Sequence, residues 1–94
     1  MARRKTPPPD HEVDLHGLRP EQALRRLAQD LHACRMSGVQ RLRVITGRGW
    51  GNREQRPILR GKVEEWLRGP EGRGYGVRSI ELASKGGALD LTLE

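Results

Sequence analysis

The sequence has little cysteine, few aromatic residues and no long apolar run. Its single cysteine, Cys34, cannot form an internal disulfide, and one thiol without clustered cysteines or histidines does not make a zinc site. No stretch approaches the roughly 20 apolar residues that a membrane-spanning helix needs. Three aromatic residues without a phenylalanine argue against a sheet that stacks RNA bases on aromatic side chains. We therefore expect a cytoplasmic protein with no membrane association.

The 94 residues, 34% of them hydrophobic, leave room for one small core. The basic start of the chain leads into three prolines and not into an apolar segment, so it does not resemble a signal peptide. We expect residues 1–11 to form a flexible, basic and proline-rich tail. Residues 12–94 are then a single domain.

Positive charge is concentrated in one part of the chain. Lys and Arg number 18 against 12 Asp and Glu, which gives a net charge of +6. Residues 41–62 alone carry seven basic residues against one acidic residue, whereas residues 63–94 carry four against six. A local basic patch of this kind favours a phosphate-rich partner such as DNA or RNA.

Hydrophobic periodicity predicts alternating strands and helices. Apolar residues recur at helical spacing from Pro20 until Gly38, and again after Pro57 until Gly69 and Pro70. Four segments have the short, alternating or β-branched character of strands: 13–16, 42–46, 77–82 and 88–93. Gly86 and Gly87 predict a hairpin between the last two strands, and the glycines from Gly72 to Gly76 predict a mobile connector.

These elements define the expected fold class. The order β-α-β-α-β-β predicts an α/β two-layer sandwich, because strand–helix–strand units place parallel strands in one sheet with the helices packed on it. We expect a mixed four-stranded sheet in which strands 1–3 are parallel and strand 4 is antiparallel, covered by two main helices.

Two polar motifs follow the predicted strands. Asp14 and His16 alternate along the first strand and therefore project to the same face. A glycine-dense loop over 47–52 follows the second strand, and ligands of open α/β sheets bind outside such carboxyl ends. If the two strands are neighbours, both motifs face one site. The basic residues in and after the loop would then bind a phosphodiester backbone there: Arg48, Arg53 and Arg56.

Together these motifs carry a resemblance to a known family. Val-Asp-Leu-His-Gly at 13–17, Ile-Thr-Gly-Arg-Gly at 45–49 and Pro-Ile-Leu at 57–59 resemble the Smr domain, the small MutS-related family, over roughly residues 13–93. The resemblance implies a fold like the C-terminal domain of a translation initiation factor and a nicking endonuclease acting on DNA or RNA. The implied functional residues are Asp14, His16, Thr46, Gly47 and Gly49. The sequence departs from the family in its shortened Gly86-Gly87 turn.

The residues allow a chemical and a structural role for each motif. His16 could take a proton from water or a 2′-hydroxyl while Asp14 orients the ring or helps to hold Mg²⁺ or Mn²⁺, or both could only cap backbone groups. The glycines could let the backbone approach a phosphate, or could serve a turn. Trp50 could stack on an unpaired base, or pack on the second helix. No nucleotide cofactor is expected, because neither a Gly-x-Gly-x-x-Gly nor a P-loop pattern is present.

We therefore expect a nucleic-acid-binding Smr domain with endonuclease activity on DNA or structured RNA. The alternative is a non-catalytic module that recognises branched or single-stranded nucleic acid, and a third class is a protein-interaction module that binds acidic partners. The choice between DNA and RNA, the metal and the oligomeric state stay open.

Overall fold

The computed structural model describes residues 10–47, 58–83 and 86–94. Within these ranges the chain forms four strands and three helices. In chain order they are β1 (His11–Asp14), α1 (Pro20–Ser37), β2 (Arg41–Ile45), α2 (Ile58–Arg68), α3 (Pro70–Gly74), β3 (Val77–Ala83) and β4 (Ala88–Leu93). The predicted order of four strands and two main helices is confirmed, and α3 is an addition to it.

The strands form one mixed sheet in the order β1-β2-β4-β3. β1 is parallel to β2, and β4 is antiparallel to both β2 and β3. The first three strands therefore run in the same direction and only β4 opposes them, as predicted. Ala83 pairs with Ala88 at the end of the predicted β3–β4 hairpin.

The core lies on one face of this sheet. Alternate residues of β2 and β4 are buried, and α1 and α2 cover them with the apolar side chains that the helical periodicity predicted. The opposite face carries charged side chains, which gives the two-layer arrangement. The core is formed by Val13, Leu15, Ala23, Leu27, Leu31, Cys34, Leu42, Val44, Val63, Leu67, Leu89, Leu91 and Leu93.

The ends of α1 follow from its sequence. Pro20 is the first helical residue, a position where the missing N–H costs nothing because that group has no partner within a helix. Gly38 ends the helix in the left-handed conformation, with φ of 76°. Cys34 on the inner face is 2% exposed, and burial raises the pKa of its thiol. Cys34 is thus a protonated core residue.

Two predictions about element boundaries are wrong. β1 starts two residues before the predicted segment and ends at Asp14, so that His16 lies beyond the strand. The glycine-rich connector contains α3. A side chain on Gly72 would place its Cβ 1.8 Å from the carbonyl oxygen of Leu67, so α3 packs against α2 at a distance that only glycine permits. None of the helices in the described residues combines the length and the apolar character that a membrane span requires.

Candidate active site at the carboxyl edge of the sheet

Pairing between β1 and β2 brings the two predicted motifs together. Asp14 and Ile45 are partners in the parallel register, and the N–H of Leu15 donates to the carbonyl of Ile45 over 2.7 Å. The segments that follow both strands therefore leave the sheet side by side. β1 and β2 are therefore neighbours, as a shared site for the two motifs requires.

Asp14 holds His16 through two hydrogen bonds. Oδ1 of Asp14 accepts the backbone N–H of His16 over 3.1 Å and lies 2.6 Å from Nδ1 of its ring. The two side chains are 54% and 67% exposed. The two side chains are thus together, as expected. The cause differs from the predicted one, because a local turn after β1 positions His16 and the alternation of a strand plays no part.

The carboxylate of this pair is ionised. The hydrogen bond from the His16 side chain lowers the pKa of Asp14, and the positive charge of Arg26 on α1 lowers it further. An ionised carboxylate can only accept, so Nδ1 of His16 carries the shared hydrogen. In the neutral ring Nε2 is then the free basic nitrogen, which is the protonation state that a general base needs.

Gly47 lies beside His16. A Cβ built on Gly47 would lie 3.4 Å from the Cβ of His16, and Gly47 has a φ of 82°. An L side chain here would be both strained and in contact with the histidine. This proximity is the physical link between the Asp-x-His motif and the glycine loop.

The β3–β4 hairpin closes the floor of the site. The carbonyl of Gly87 accepts the backbone N–H groups of both Thr46 and Gly47 over 3.0 Å. Thr46 is 5% exposed, and its hydroxyl makes a long 3.3 Å contact with the carbonyl of Gly47. The shortened Gly86-Gly87 turn therefore still reaches the start of the glycine loop, and the part of Thr46 in nucleic-acid binding stays a prediction.

Two arginines near this edge were not predicted. Arg60 in the first turn of α2 donates from Nη1 to the carbonyl of Gly86 over 3.1 Å, and its buried Nε has no hydrogen-bond partner among the described residues. The second is Arg26 on α1, whose positive charge lowers the pKa of Asp14. Arg60 was counted in the basic segment 41–62, but nothing in its spacing indicated the contact with the hairpin turn.

Several predicted residues lie outside the described ranges. They are Arg48, Gly49, Trp50, Arg53 and Arg56. Their assignment to nucleic-acid binding stays a prediction. Among residues 10–47, 58–83 and 86–94, no three His, Cys, Asp or Glu side chains come together in a way that could hold a metal ion. Of the described residues, Asp14 would help to hold a cation at this edge, with water and phosphate oxygens as further ligands.

The fold and these motifs define a small α/β domain with an Asp–His pair at the carboxyl edge. A family model for the Smr domain matches residues 13–88, which is most of the chain. The chain therefore belongs to the Smr family, whose members are nucleic-acid-binding modules. The resemblance seen in the sequence is confirmed.

Solved structures of Smr domains share this architecture. The Smr domain of Thermus thermophilus MutS2 is similar, with a TM-score of 0.71 and 33% identity over 89% of this chain and 98% of that one. The B3BP Smr domain gives 0.67 and 28% over 92% and 80%. The Smr domain of NEDD4-binding protein 2 gives 0.64 and 24% over 99% and 94%, which shows the fold alone. No curated protein sequence matches the chain.

Proposed function

We propose that this Smr domain binds DNA or RNA and cleaves a phosphodiester bond at the carboxyl edge of the sheet. The observation that carries the proposal is the 2.6 Å contact between Asp14 and Nδ1 of His16, in an exposed position directly beside Gly47. The carboxylate fixes the tautomer of the ring, and the His16 side chain is 67% exposed. This is the arrangement of a histidine that transfers protons.

The proposed reaction begins with proton transfer to His16. Nε2 takes the proton of an attacking water or of a 2′-hydroxyl, and the nucleophile's oxygen forms a bond with phosphorus. The bond from phosphorus to the leaving oxygen breaks, and that oxygen takes a proton from the imidazolium or from solvent. The ionised Asp14 stabilises the imidazolium between the two transfers. A divalent cation at Asp14, if bound, would polarise the phosphate.

Cations around the edge would position the substrate. Arg26 lies near Asp14, and Arg60 contacts the hairpin turn at Gly86. Arg48, Arg53 and Arg56 remain the sequence-based candidates for the same role. Arginine suits this purpose because its planar fork donates two hydrogen bonds to one phosphate. Contacts of this type bind the backbone of any sequence and make affinity strongly dependent on salt.

The experiment compares the parent with His16→Ala on labelled branched DNA, single-stranded DNA and structured RNA, with Mg²⁺, with Mn²⁺ and with EDTA. We expect His16→Ala to lose about 10²–10⁴-fold in cleavage rate with little loss of binding, because a positioned acid or base contributes about that factor. His32→Ala is the matched control, since His32 is an exposed histidine on α1. Full cleavage by folded His16→Ala, or no cleavage by the parent on any substrate, would exclude the nuclease.

A binding module without catalysis is the second candidate. It is favoured by the bond from the His16 backbone N–H to Asp14, which is a common way for an aspartate to stabilise a turn. In that case the pair shapes the glycine loop and a partner protein provides the chemistry. His16→Ala and Asp14→Asn would then unfold at lower temperature, and the parent would bind its preferred nucleic acid without cleaving it.

A further inference from the structure

A basic cleft lies at the end of the domain away from the Asp14–His16 pair. It is bounded by the end of α2, by α3 and by the start of β3, and it encloses about 310 Å³. Leu67, Val77 and Ile80 form an apolar floor, and three arginines form the rim: Arg68, Arg73 and Arg78. The residues from 63 to 94 carry a net negative charge, so the sequence count concealed this cluster.

Two of the three arginines are available to a ligand. Arg68 is held by Glu64 through bonds of 2.8 and 3.2 Å from its guanidinium. Arg73 and Arg78 are exposed, and neither makes an ion pair with another residue in the described parts of the chain. Two further carboxylates lie close to the cleft: Oε1 of Glu71 lies toward Gly69, and Glu94 lies against Gly76. Neither of these carboxylates is among the residues that line the cleft, where the charged side chains are the three arginines.

The cleft is built on a fixed frame. Gly72 lets α3 pack against the backbone of Leu67, and Nη1 of Arg35 on α1 donates to the carbonyl of Gly74 over 2.7 Å. The pairing of β3 with β4 shifts between Val77 and Ser79, which leaves Arg78 as the extra residue of a bulge. Bulges re-aim a side chain out of the regular pleat. Arg73 and Arg78 thus project from rigid elements.

The position of the cleft separates it from the active edge. β3 runs from the cleft at Val77 to the hairpin at Ala83, and six residue steps of a strand span about 20 Å. Arg60 lies at the hairpin end of the same line, where α2 begins. The edge between α2 and β3 therefore has arginines at both ends. A ligand that contacts both must span about 20 Å and carry anionic groups at both ends, which the backbone of a nucleic-acid strand does.

We propose that the Arg68–Arg73–Arg78 cleft is a second binding site for the sugar-phosphate backbone of the nucleic acid that is cleaved at His16. The inference rests on the proposed function and extends it. The phosphate would meet Arg73 and Arg78, and the less polar sugar and base would cover the apolar floor. An acidic protein segment is the competing occupant. A nucleotide carries an anionic phosphate and a less polar sugar and base in the same unit, which matches arginines beside apolar residues better than a row of carboxylates does.

Salt titrations with oligonucleotides of increasing length test the cleft. We expect the parent to gain affinity and salt dependence once the strand exceeds the few nucleotides that the active edge holds, across a range from about 4 to about 16 nucleotides. Arg73→Ala and Arg78→Ala should each flatten the salt slope by about one unit on long strands and leave short strands unaffected. Arg25→Ala on the exposed side of α1 is the matched control and should change neither.

A second measurement identifies the ligand. NMR titration of the parent with a long single strand should shift the Nε–H signals of Arg73 and Arg78, and inorganic phosphate or polyglutamate at equal ionic strength should shift them much less. Equal shifts with polyglutamate would overturn the nucleic-acid assignment, and unchanged slopes in folded Arg73→Ala and Arg78→Ala would overturn the site. If those slopes are unchanged while cleavage still depends on His16, the proposed function stands without the cleft. If no substrate is cleaved but long strands still bind through Arg73 and Arg78, the cleft stands without the nuclease.

Discussion

Two aspartates of this domain bind a basic partner at short distance, and only one of the pairs is suited to chemistry. Asp14 at the carboxyl edge contacts Nδ1 of His16 over 2.6 Å. Asp90 on the open face of the sheet accepts from Nε and Nη2 of its cross-strand neighbour Arg43 over 2.7 and 3.0 Å. The side chains of the second pair are each 30% exposed, which is less than those of the first.

The difference lies in what each pair leaves free. The fork of Arg43 occupies both oxygens of Asp90, and the contact raises the pKa of the guanidinium, so no proton is exchanged. The His16 side chain is 67% exposed, and its second ring nitrogen has no hydrogen-bond partner in the described parts of the chain. Geometry alone would rank the pairs as similar. Nε2 of His16, which is unpaired among the described residues, makes the first pair a candidate proton-transfer site. The second pair has no such atom and is a structural ion pair.

The largest effect that separates the pairs is expected from Asp14→Asn. The substitution keeps the shape of the side chain but removes the charge that orients His16 and stabilises its imidazolium, so cleavage should slow by about 10²-fold or more. Because both residues act on one step, the double variant with His16→Ala should be little slower than the slower single variant. Single-turnover cleavage rates measure both quantities.

Asp90→Asn is the matched control for that substitution. It makes the same chemical change in the other pair and should leave the cleavage rate of folded protein unchanged. Equal slowing by the two variants would mean that the charge of the domain as a whole controls the rate. A double variant whose losses multiply would mean that Asp14 and His16 act at separate steps.

Gly47→Ala is expected to have the next largest effect. The left-handed φ at Gly47 costs an L-residue about 1–2 kcal/mol, and the added Cβ lies in contact with His16. Gly38→Ala is a close control, because Gly38 has a φ of 76° and nothing within 4 Å of its Cβ position. Thermal unfolding should show similar destabilisation of both variants. Only Gly47→Ala should also slow cleavage, and equal cleavage rates in the two folded variants would remove Gly47 from the site.

The sequence predicted elements wherever a local pattern controls them. Helix α1 begins at Pro20 and ends before Gly38, and β4 spans the predicted Ala88–Leu93, because caps and strict alternation act within a few residues. The meeting of the Asp-x-His motif with the glycine loop was also accessible, because it needs only that β1 and β2 are parallel neighbours. The ends of α1 and β4 thus depend on short-range chemistry, and the meeting of the two motifs follows from the β-α-β order alone.

The remaining features depend on contacts between distant parts of the chain. α3 forms because Gly72 can approach Leu67, and a count of glycines cannot distinguish such an approach from a flexible linker. Arg43 was counted in the basic segment 41–62, but its charge is neutralised by Asp90 across the sheet. Arg73 and Arg78 were concealed by the acidic residues around them in sequence. Charge counted along the chain does not give charge on a surface.

Breaking the ion pair between Arg43 and Asp90 should have a smaller effect. It should change stability and leave cleavage unchanged. Arg43→Ala and Asp90→Ala are each expected to lower the free energy of unfolding, with a coupling energy of up to about 1 kcal/mol in a double-mutant cycle. The partly exposed setting limits that value through solvent screening. The Arg68–Glu64 pair, which joins successive turns of α2, should couple by only about 0.3–0.5 kcal/mol. Urea unfolding measures both cycles, and a coupling near zero for Arg43 and Asp90 would make their contact incidental.

The smallest expected effect is a pH dependence of stability that comes from Asp14. Its pKa is lowered in the folded protein from an ordinary value of 3.8, chiefly by the hydrogen bond from His16. A lowered pKa means that the folded state favours the ionised form, so the contribution to stability is fully present above pH 3.8 and is lost as the pH falls through the folded value. The parent and Asp14→Asn should therefore differ in free energy of unfolding near neutral pH and converge in acid. Urea unfolding at a series of pH values measures the difference between them. A difference that does not change with pH would mean that the contact with His16 does not lower the pKa of Asp14 in the folded protein.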